Sequence, residues 1–361
     1  MEGTSEVILR NETRMGTAPL LLVNPPRDGL VPALQSRPAL HAELRCSSQD
    51  FGDSRWLRAG GLDVRDEVVP TLAGDEGLVV LHLPREKERL AMLLHALATA
   101  WQESATAPPR LWLVGENRAG IKSAGSSLRR WFGRFGSLDK ARHCGLWEAA
   151  QPLPVAPFAL DGYLRDWQIA FAGREIRLRS LPGVFAHGRL DAGTALLLQV
   201  LERLRPRGTV LDFACGSGVV GLALRIASDA VVPTLLDSSA LALESSRRSL
   251  QANGIEPDRD AHLLPSDGLS EVSGRFEWIV SNPPFHRGVR SDLDVAADFI
   301  RHAGTLLSKT GRIVVVFNRH LPYAAWLADA FNSVERLAHR GEYQVVLAAG
   351  PRVGGDTGRT R

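Results

Sequence analysis

DFACGSGVVG, residues 212–221, lies between an apolar run, Thr209–Phe213, and a helix-forming stretch, Val219–Ala227. The run reads as a strand and the stretch as a helix, so Gly216, Gly218 and Gly221 fall in and just after a strand-to-helix turn. Glycines there let the backbone approach a ligand, and the helix N-terminus offers unpaired N–H groups. The letters also fit the dinucleotide pattern GxGxxG, with Asp237 ending the next strand 19 residues after Gly218, where such folds keep a ribose-binding carboxylate. A plain structural turn would carry the same letters. Asp212 points elsewhere. A pyrophosphate beside that carboxylate would be repelled, whereas a zwitterionic amino-acid group would be attracted. S-adenosylmethionine carries such a group, plus a ribose whose hydroxyls suit Asp237. The plainer role for Asp212 is a turn-former or N-cap.

Outward from this turn the second half alternates strands and helices, the pattern of a mostly parallel sheet. Strands are expected at Thr209–Phe213, Val231–Asp237, His262–Leu264, Phe276–Ser281 and Arg312–Phe317, then a closing hairpin, Val334–Ala338 with Tyr343–Ala348. Helices are expected at Val219–Ala227, Ser239–Asn253, Asp292–Leu307 and Tyr323–Phe331. The first half carries a weaker copy of the later part of this pattern, with strands at Gly77–Leu83, Arg110–Gly115, Lys140–His143 and Leu146–Ala149 and helices at Glu86–Glu103 and Ala124–Phe135. The two halves superpose at an offset of roughly 200 residues, which reads as a degenerate domain duplication. The expected organisation is a first domain at 1–150, a proline-rich linker at 151–160, a catalytic domain at 161–350 and a frayed tail at 351–361. The fold class is α/β, two tandem Rossmann-like domains. The second holds a seven-stranded, mostly parallel sheet ending in an antiparallel hairpin.

The fourth of these strands runs into Ser281-Asn282-Pro283-Pro284-Phe285. Two prolines stiffen the turn, and the Asn282 amide oxygen with the Pro283 carbonyl makes a pair of acceptors for one NH2 group. An exocyclic amine on an aromatic base is a poor nucleophile, since its lone pair is delocalised into the ring. Acceptors held off the ring plane favour a tetrahedral nitrogen and free that lone pair, and Phe285 can stack on the base. No dedicated general base is needed if the proton leaves after transfer. His286 reads as a solvated loop residue. Asn24-Pro25-Pro26 carries the same three letters without the Gly-rich turn before it, and reads as a loop. In the first domain the place of Asn282 falls near Leu83-Pro84-Arg85, so that domain is expected to be catalytically silent.

The 361 residues carry 43 basic and 40 acidic side chains and are 44% hydrophobic, which excludes a disordered chain and a polycationic one. Cys46, Cys144 and Cys215 lie far apart, against a disulfide scaffold or a zinc site and for a reducing compartment. No metal is expected. No apolar run approaches a membrane span and the first residues lack a signal-peptide core, so the expectation is a soluble cytoplasmic monomer without membrane contact. Positive charge clusters locally, at Arg118, Lys122, Arg129, Arg130, Arg134, Lys140 and Arg142, with Trp131, Phe132 and Phe135 between them. This is open between an RNA-binding face and an amphipathic segment with core aromatics. Arg287 and Arg290, just after the Asn-Pro-Pro-Phe turn, are candidates for phosphate contacts near the target.

Together these residues resemble the class I S-adenosylmethionine-dependent methyltransferases that act on exocyclic or amide nitrogens. Ser180-Leu-Pro-Gly-Val-Phe185, Leu190-Asp-Ala-Gly193 and Gly115-Glu-Asn-Arg-Ala-Gly120 are similar, more narrowly, to the ribosomal RNA small subunit methyltransferase C family. The resemblance implies N2-methylation of guanine 1207 in 16S ribosomal RNA of the small subunit, with a cofactor-free first domain that helps bind RNA. It implies that Asp212, Gly216 and Gly218 hold the methionine part of the donor and Asp237 its ribose. Asp267 would meet the adenine amino group, and Asn282, Pro283 and Phe285 would hold the target base. Tyr343-Gln344-Val345 departs from the family, which carries a basic residue there. The rivals are a 23S ribosomal RNA guanine-N2 methyltransferase, a protein-glutamine or DNA-adenine methyltransferase, a non-catalytic RNA-binding assembly factor and an NAD dehydrogenase.

Overall fold

A computed structural model describes residues 1–37, 43–103, 110–284 and 290–352 of the chain. It divides into two compact units, Met1–Leu164 and Arg165–Arg361.

The first unit contains strands β1 (Leu20–Val23), β2 (Leu44–Ser48), β3 (Asp63–Asp66), β4 (Leu78–His82), β5 (Arg110–Glu116), β6 (Phe132–Ala141) and β7 (Cys144–Pro152). Helices α1 (Gly3–Arg10), α2 (Leu30–Gln35), α3 (Phe51–Ala59), α4 (Lys87–Glu103) and α5 (Ala124–Leu128) connect or cover them. Its sheet runs β3-β2-β1-β4-β5-β7-β6. The proline-rich stretch packs within this unit. His95 on α4 meets the Tyr163 hydroxyl through Nδ1 at 2.9 Å and the Ala156 carbonyl through Nε2 at 2.8 Å, its ring stacked on Trp131.

The second unit opens with a hairpin, β8 (Arg165–Phe171) and β9 (Arg174–Ser180). Then come α6 (Ala192–Leu204), β10 (Gly208–Phe213), α7 (Val219–Ala227), β11 (Val231–Asp237), α8 (Ala240–Ala252), β12 (His262–Pro265) and β13 (Phe276–Ser281). The unit ends with α9 (Arg290–Leu306), β14 (Leu307–Asn318), α10 (Tyr323–Ala330), β15 (Phe331–Arg340) and β16 (Tyr343–Pro351). The sheet order β12-β11-β10-β13-β14-β16-β15 repeats the first unit's strand for strand. It is parallel through β14 and antiparallel in its final hairpin.

The duplication extends to irregularities. Phe132 faces Pro152 across the β6–β7 hairpin and Phe331 faces Pro351 across β15–β16, both members displaced by 199 residues. The bulge between Ser137 and Asp139 recurs at that displacement between Arg336 and Ala338. A bulge sets local twist and register, so its retention marks the two hairpins as one device used twice.

Burial follows the period of two expected for a sheet covered on both faces. Leu211, Phe213, Ile279, Ile313, Val315 and Phe317 pack under α9 and α10. Val210, Val280, Val314 and Val316 pack on the opposite face, with α6, α7 and α8. That alternation turns Asp212 toward the α6–α7 side.

The expected helix at Ala124–Phe135 is corrected: helix ends at Leu128, and Phe132 onward is strand. Gly133 and Gly136 weaken helix there, and pairing with β7 takes the segment into the sheet. Arg142 and His143, expected to end a strand, instead form the turn of the hairpin with φ of 52° and 60°. Trp131 and Phe132 are buried in the core, which rules them out as base-stacking platforms.

Candidate active site

In both units the strand order reverses at the central pair, β1 and β4 or β10 and β13, and the strands' carboxyl ends there form the crevice where open α/β sheets bind ligands. In the second unit Phe213 lies opposite Ser281, and the Ser281 hydroxyl donates to the Phe213 carbonyl at 2.8 Å. This link holds the turn after β10 beside the turn after β13. Sequence reading passed over Ser281, although a serine ending an apolar strand is a visible anomaly.

Ala214 leaves β10 at φ 58°, and Gly216 and Gly218 also take left-handed backbone, at 58° and 77°. A side chain at Gly218 would strike Ser246 Oγ at 2.9 Å, so the turn needs glycine there for both conformation and space. Gly221 is needed for close helix–strand approach, since an added Cβ would overlap Leu235 Cδ2 and sit 3.3 Å from Asp212 Oδ2. Gly221→Ala is expected to lower stability by about 1–3 kcal/mol through overpacking. Thermal denaturation of the full chain checks this.

Asp212 is buried, and its Oδ2 accepts the Gly221 N–H at 2.8 Å. Burial pushes its carboxyl up to about 7; the Gly221 N–H pulls it down, and nearby Asp237 pushes it up again. Asp237 Oδ2 accepts the Gly216 N–H at 2.9 Å and Oδ1 the Ser239 N–H at 2.9 Å, so this carboxylate braces the glycine turn and the start of α8.

A cleft with about 440 Å³ of open space lies above these strand ends. Asp212, Gly216 and Asn282 line it together with Asp191, Thr194, Trp167, Phe185 and Arg189. Gly218, Asp237, Asp267 and Pro283 do not line it. Phe285 and Arg287 lie outside the described residues, and of Arg290 only the backbone at the start of α9 is described. Phe185, absent from the candidate set, is 53% exposed at the rim, an unusual position for a large aromatic.

Trp167 Nε1, on the same cleft, is buried without a hydrogen-bond partner among the described residues, and Asn282 has its chemistry half used. Its Nδ2 donates to Asp191 Oδ2 at 3.2 Å and to Thr194 Oγ1 at 3.0 Å. Its Oδ1 is buried and has no hydrogen-bond partner among the described residues. The following turn is pinned by the Tyr323 hydroxyl, which donates to the Pro284 carbonyl at 3.3 Å.

The same places in the first unit read differently. Asn24 follows β1 with left-handed backbone, as Ala214 follows β10, so Leu22 stands where Asp212 stands. By register His82 stands at the place of Asn282, one residue before the segment expected from sequence. Burial pushes His82 down to about 4, and its Nδ1 lies 3.4 Å from the Val23 carbonyl. Asn24 and Gln49 exchange hydrogen bonds at 3.0 and 2.9 Å, and Arg89 donates twice to Gln49 Oε1.

Two family models match this chain: the methyltransferase small domain N-terminal family over residues 5–167 and the methyltransferase small domain family over 175–347. A Pseudomonas entomophila relative, ribosomal RNA small subunit methyltransferase C, is 36% identical over 349 residues, covering 96% of this chain and 99% of the relative. Its namesake from Pseudoalteromonas atlantica is 33% identical over 350 residues, 96% of this chain and 98% of that protein. The chain belongs to the ribosomal RNA small subunit methyltransferase C family. The family is one of ribosomal RNA-modifying enzymes, which sets aside the dehydrogenase and the non-catalytic rival. Among solved structures, the T. thermophilus 16S rRNA N2 G1207 methyltransferase in complex with AdoMet and guanosine superposes with a TM-score of 0.79 at 26% identity, covering 92% of this chain and 88% of that one. Among the described residues no group of three or more metal-ligating side chains is present, and no helix is long and apolar enough to cross a membrane.

Of the basic cluster, Arg118 is exposed and paired with Glu116. Arg129, Arg130 and Arg134 are exposed, with Arg130 over the ring of Trp131.

Proposed function

We propose that this enzyme transfers a methyl group from S-adenosylmethionine to the exocyclic N2 of a guanine in 16S ribosomal RNA, at the nucleotide named for the T. thermophilus enzyme, G1207. The observation that carries this reading is the buried Oδ1 of Asn282, without a partner among the described residues, in the same cleft as Asp212. A burial that leaves an amide oxygen without a donor is costly unless a ligand brings the donor, and an amine does so. The cleft fits the methyl donor: Asp212 faces it as an acceptor for an ammonium, and Gly216 leaves its wall free of a side chain, with nothing nearer than 4.0 Å to an added Cβ. When bound, S-adenosylmethionine supplies a sulfonium-activated methyl.

Asp212 holds the donor's ammonium, Gly216 and Gly218 let the backbone follow its methionine part, and Asp237 and Asp267 serve its ribose and adenine. Asn282 Oδ1 and the Pro283 carbonyl accept the two N–H groups of the guanine amine and turn its lone pair toward the methyl. Phe285 stacks on the base. The proton then leaves from the cationic product, which needs no dedicated base. Incubating the full chain and S-adenosylmethionine with small subunits from a strain lacking the modification, then mapping the methylated nucleotide by mass, tests this. N2-methylguanine at the named position is expected; a label at another nucleotide of 16S RNA or none at all overturns the reading.

Arg118, Arg129, Arg130 and Arg134 in the first unit, with Arg287 and Arg290 in the second, serve as phosphate contacts. Arg129→Ala and Arg130→Ala are each expected to weaken small-subunit binding and to reduce the slope of log affinity against log salt by about one. Unchanged slopes would remove these two arginines from the RNA surface.

A further inference from the structure

The acceptor role of Asn282 demands that its amide face one way. The two ends of an asparagine amide are opposite in function, oxygen accepting and nitrogen donating, and the torsion that exchanges them is soft. Turned over, the same side chain would present N–H groups to an N–H donor. Asn282 is held by α6 and the residue before it. Asp191 Oδ2 and Thr194 Oγ1 both take its Nδ2, at 3.2 and 3.0 Å, from positions 91 and 88 residues earlier in the chain. A carboxylate only accepts, so Asp191 selects the nitrogen end of the amide and excludes the oxygen end.

Asp191 is itself fixed. As the N-cap of α6 its Oδ2 accepts the N–H groups of Gly193 at 2.8 Å and Thr194 at 3.2 Å. Gly193 packs so closely that an added Cβ would lie 3.0 Å from both Asp191 Oδ2 and Tyr343 Cδ1. The helix cap and the amide therefore share one oxygen.

We infer that Asp191 and Thr194 are positioning residues that lock the Asn282 amide with its oxygen toward the amine to be methylated. The inference rests on the acceptor role proposed for Asn282 and adds the device that orients it. Thr194→Val keeps the shape and removes the acceptor. In turnover with small subunits its kcat is expected to fall about tenfold or more, a loss of transition-state stabilisation, with KM for S-adenosylmethionine and Tm unchanged. Thr194→Ser keeps the hydroxyl and is expected to restore kcat. Asp191→Ser retains a capping oxygen for α6 but withdraws the carboxylate from Asn282, and should reproduce the kcat loss. Wild-type kcat in either Thr194→Val or Asp191→Ser overturns the inference, and so does an equal loss in Thr194→Val and Thr194→Ser. Asn282→Ala separates the levels. If it retains turnover, the acceptor reading itself fails; if it abolishes turnover while Thr194→Val does not slow it, only the positioning inference fails.

Discussion

Asn282→Ala is expected to cut methyl transfer by about 10²–10³-fold, the range seen when one preorganised polar contact to a reacting group is removed. The alanine removes Oδ1, the buried acceptor without a partner among the described residues, and leaves the glycine turn and Asp212 in place. Calorimetry should therefore find S-adenosylmethionine binding unchanged. The separation of binding from turnover is the diagnostic feature, because a merely structural asparagine would lower both. Asn282→Asp is expected to be as slow. It would set a second carboxylate at the place where Nδ2 now lies 3.2 Å from Asp191 Oδ2, and like charges in a buried site repel. Retained turnover in either variant would sink the proposed chemistry.

Asp212→Asn is expected to weaken donor binding about tenfold to a hundredfold, the worth of a hydrogen bond to a charged group. The asparagine oxygen can still accept the Gly221 N–H, so the turn before α7 should survive. The pH dependence gives a second, independent check. Burial raises the Asp212 carboxyl from 3.8 to about 7 in the free protein. A folded-state value above the unfolded one means that its contribution to stability is fully present below about pH 4 and is lost as pH rises through about 7. That swing is worth about 4 kcal/mol. The donor's ammonium favours the ionised carboxylate, so binding below pH 7 expels a proton. Affinity should weaken by up to about tenfold per pH unit as pH falls from 7 toward 6. In Asp212→Asn both dependences should flatten. A wild-type affinity independent of pH in this window would show that Asp212 does not hold the ammonium.

The fold was legible in the sequence where local chemistry decides local structure. The apolar run before Gly216, the glycines of the turn and the Asn-Pro-Pro segment each fix backbone conformation within a few residues, so strand, turn and helix could be read in place. The second unit's sheet and its closing hairpin follow from that alternation. Ala124–Phe135 misled because its apolar spacing suits a helix, while the pairing of Phe132 with Pro152 that overrides it is a contact across the hairpin. The same division runs through the site. Asp212 and Asn282 could be named from their motifs, but the orientation of Asn282 depends on Asp191 and Thr194 from a distant segment. An Asp starting a helix reads only as an N-cap, and nothing in its spacing says that the capping oxygen also reaches a second turn. The use of Asp237 to brace Gly216 was hidden likewise, since a carboxylate at a strand end looks the same whether it serves a ligand or the backbone.

The two sheets, alike down to a bulge, furnish the same crevice with different side chains. In the first unit Leu22 fills the place of Asp212, and Asn24, Gln49 and Arg89 satisfy one another across the strand ends. In the second, an acid is buried where water would hold it better, and an amide oxygen faces space with no donor among the described residues. Among the described residues each crevice keeps a buried polar atom without a partner at the same place, His82 Nε2 in one and Asn282 Oδ1 in the other. An unmet bond costs stability, and the duplicated scaffold bears that cost twice within a single chain. What sets the second crevice apart is the group beside the unmet atom, a buried carboxyl at Asp212 where the first unit has Leu22.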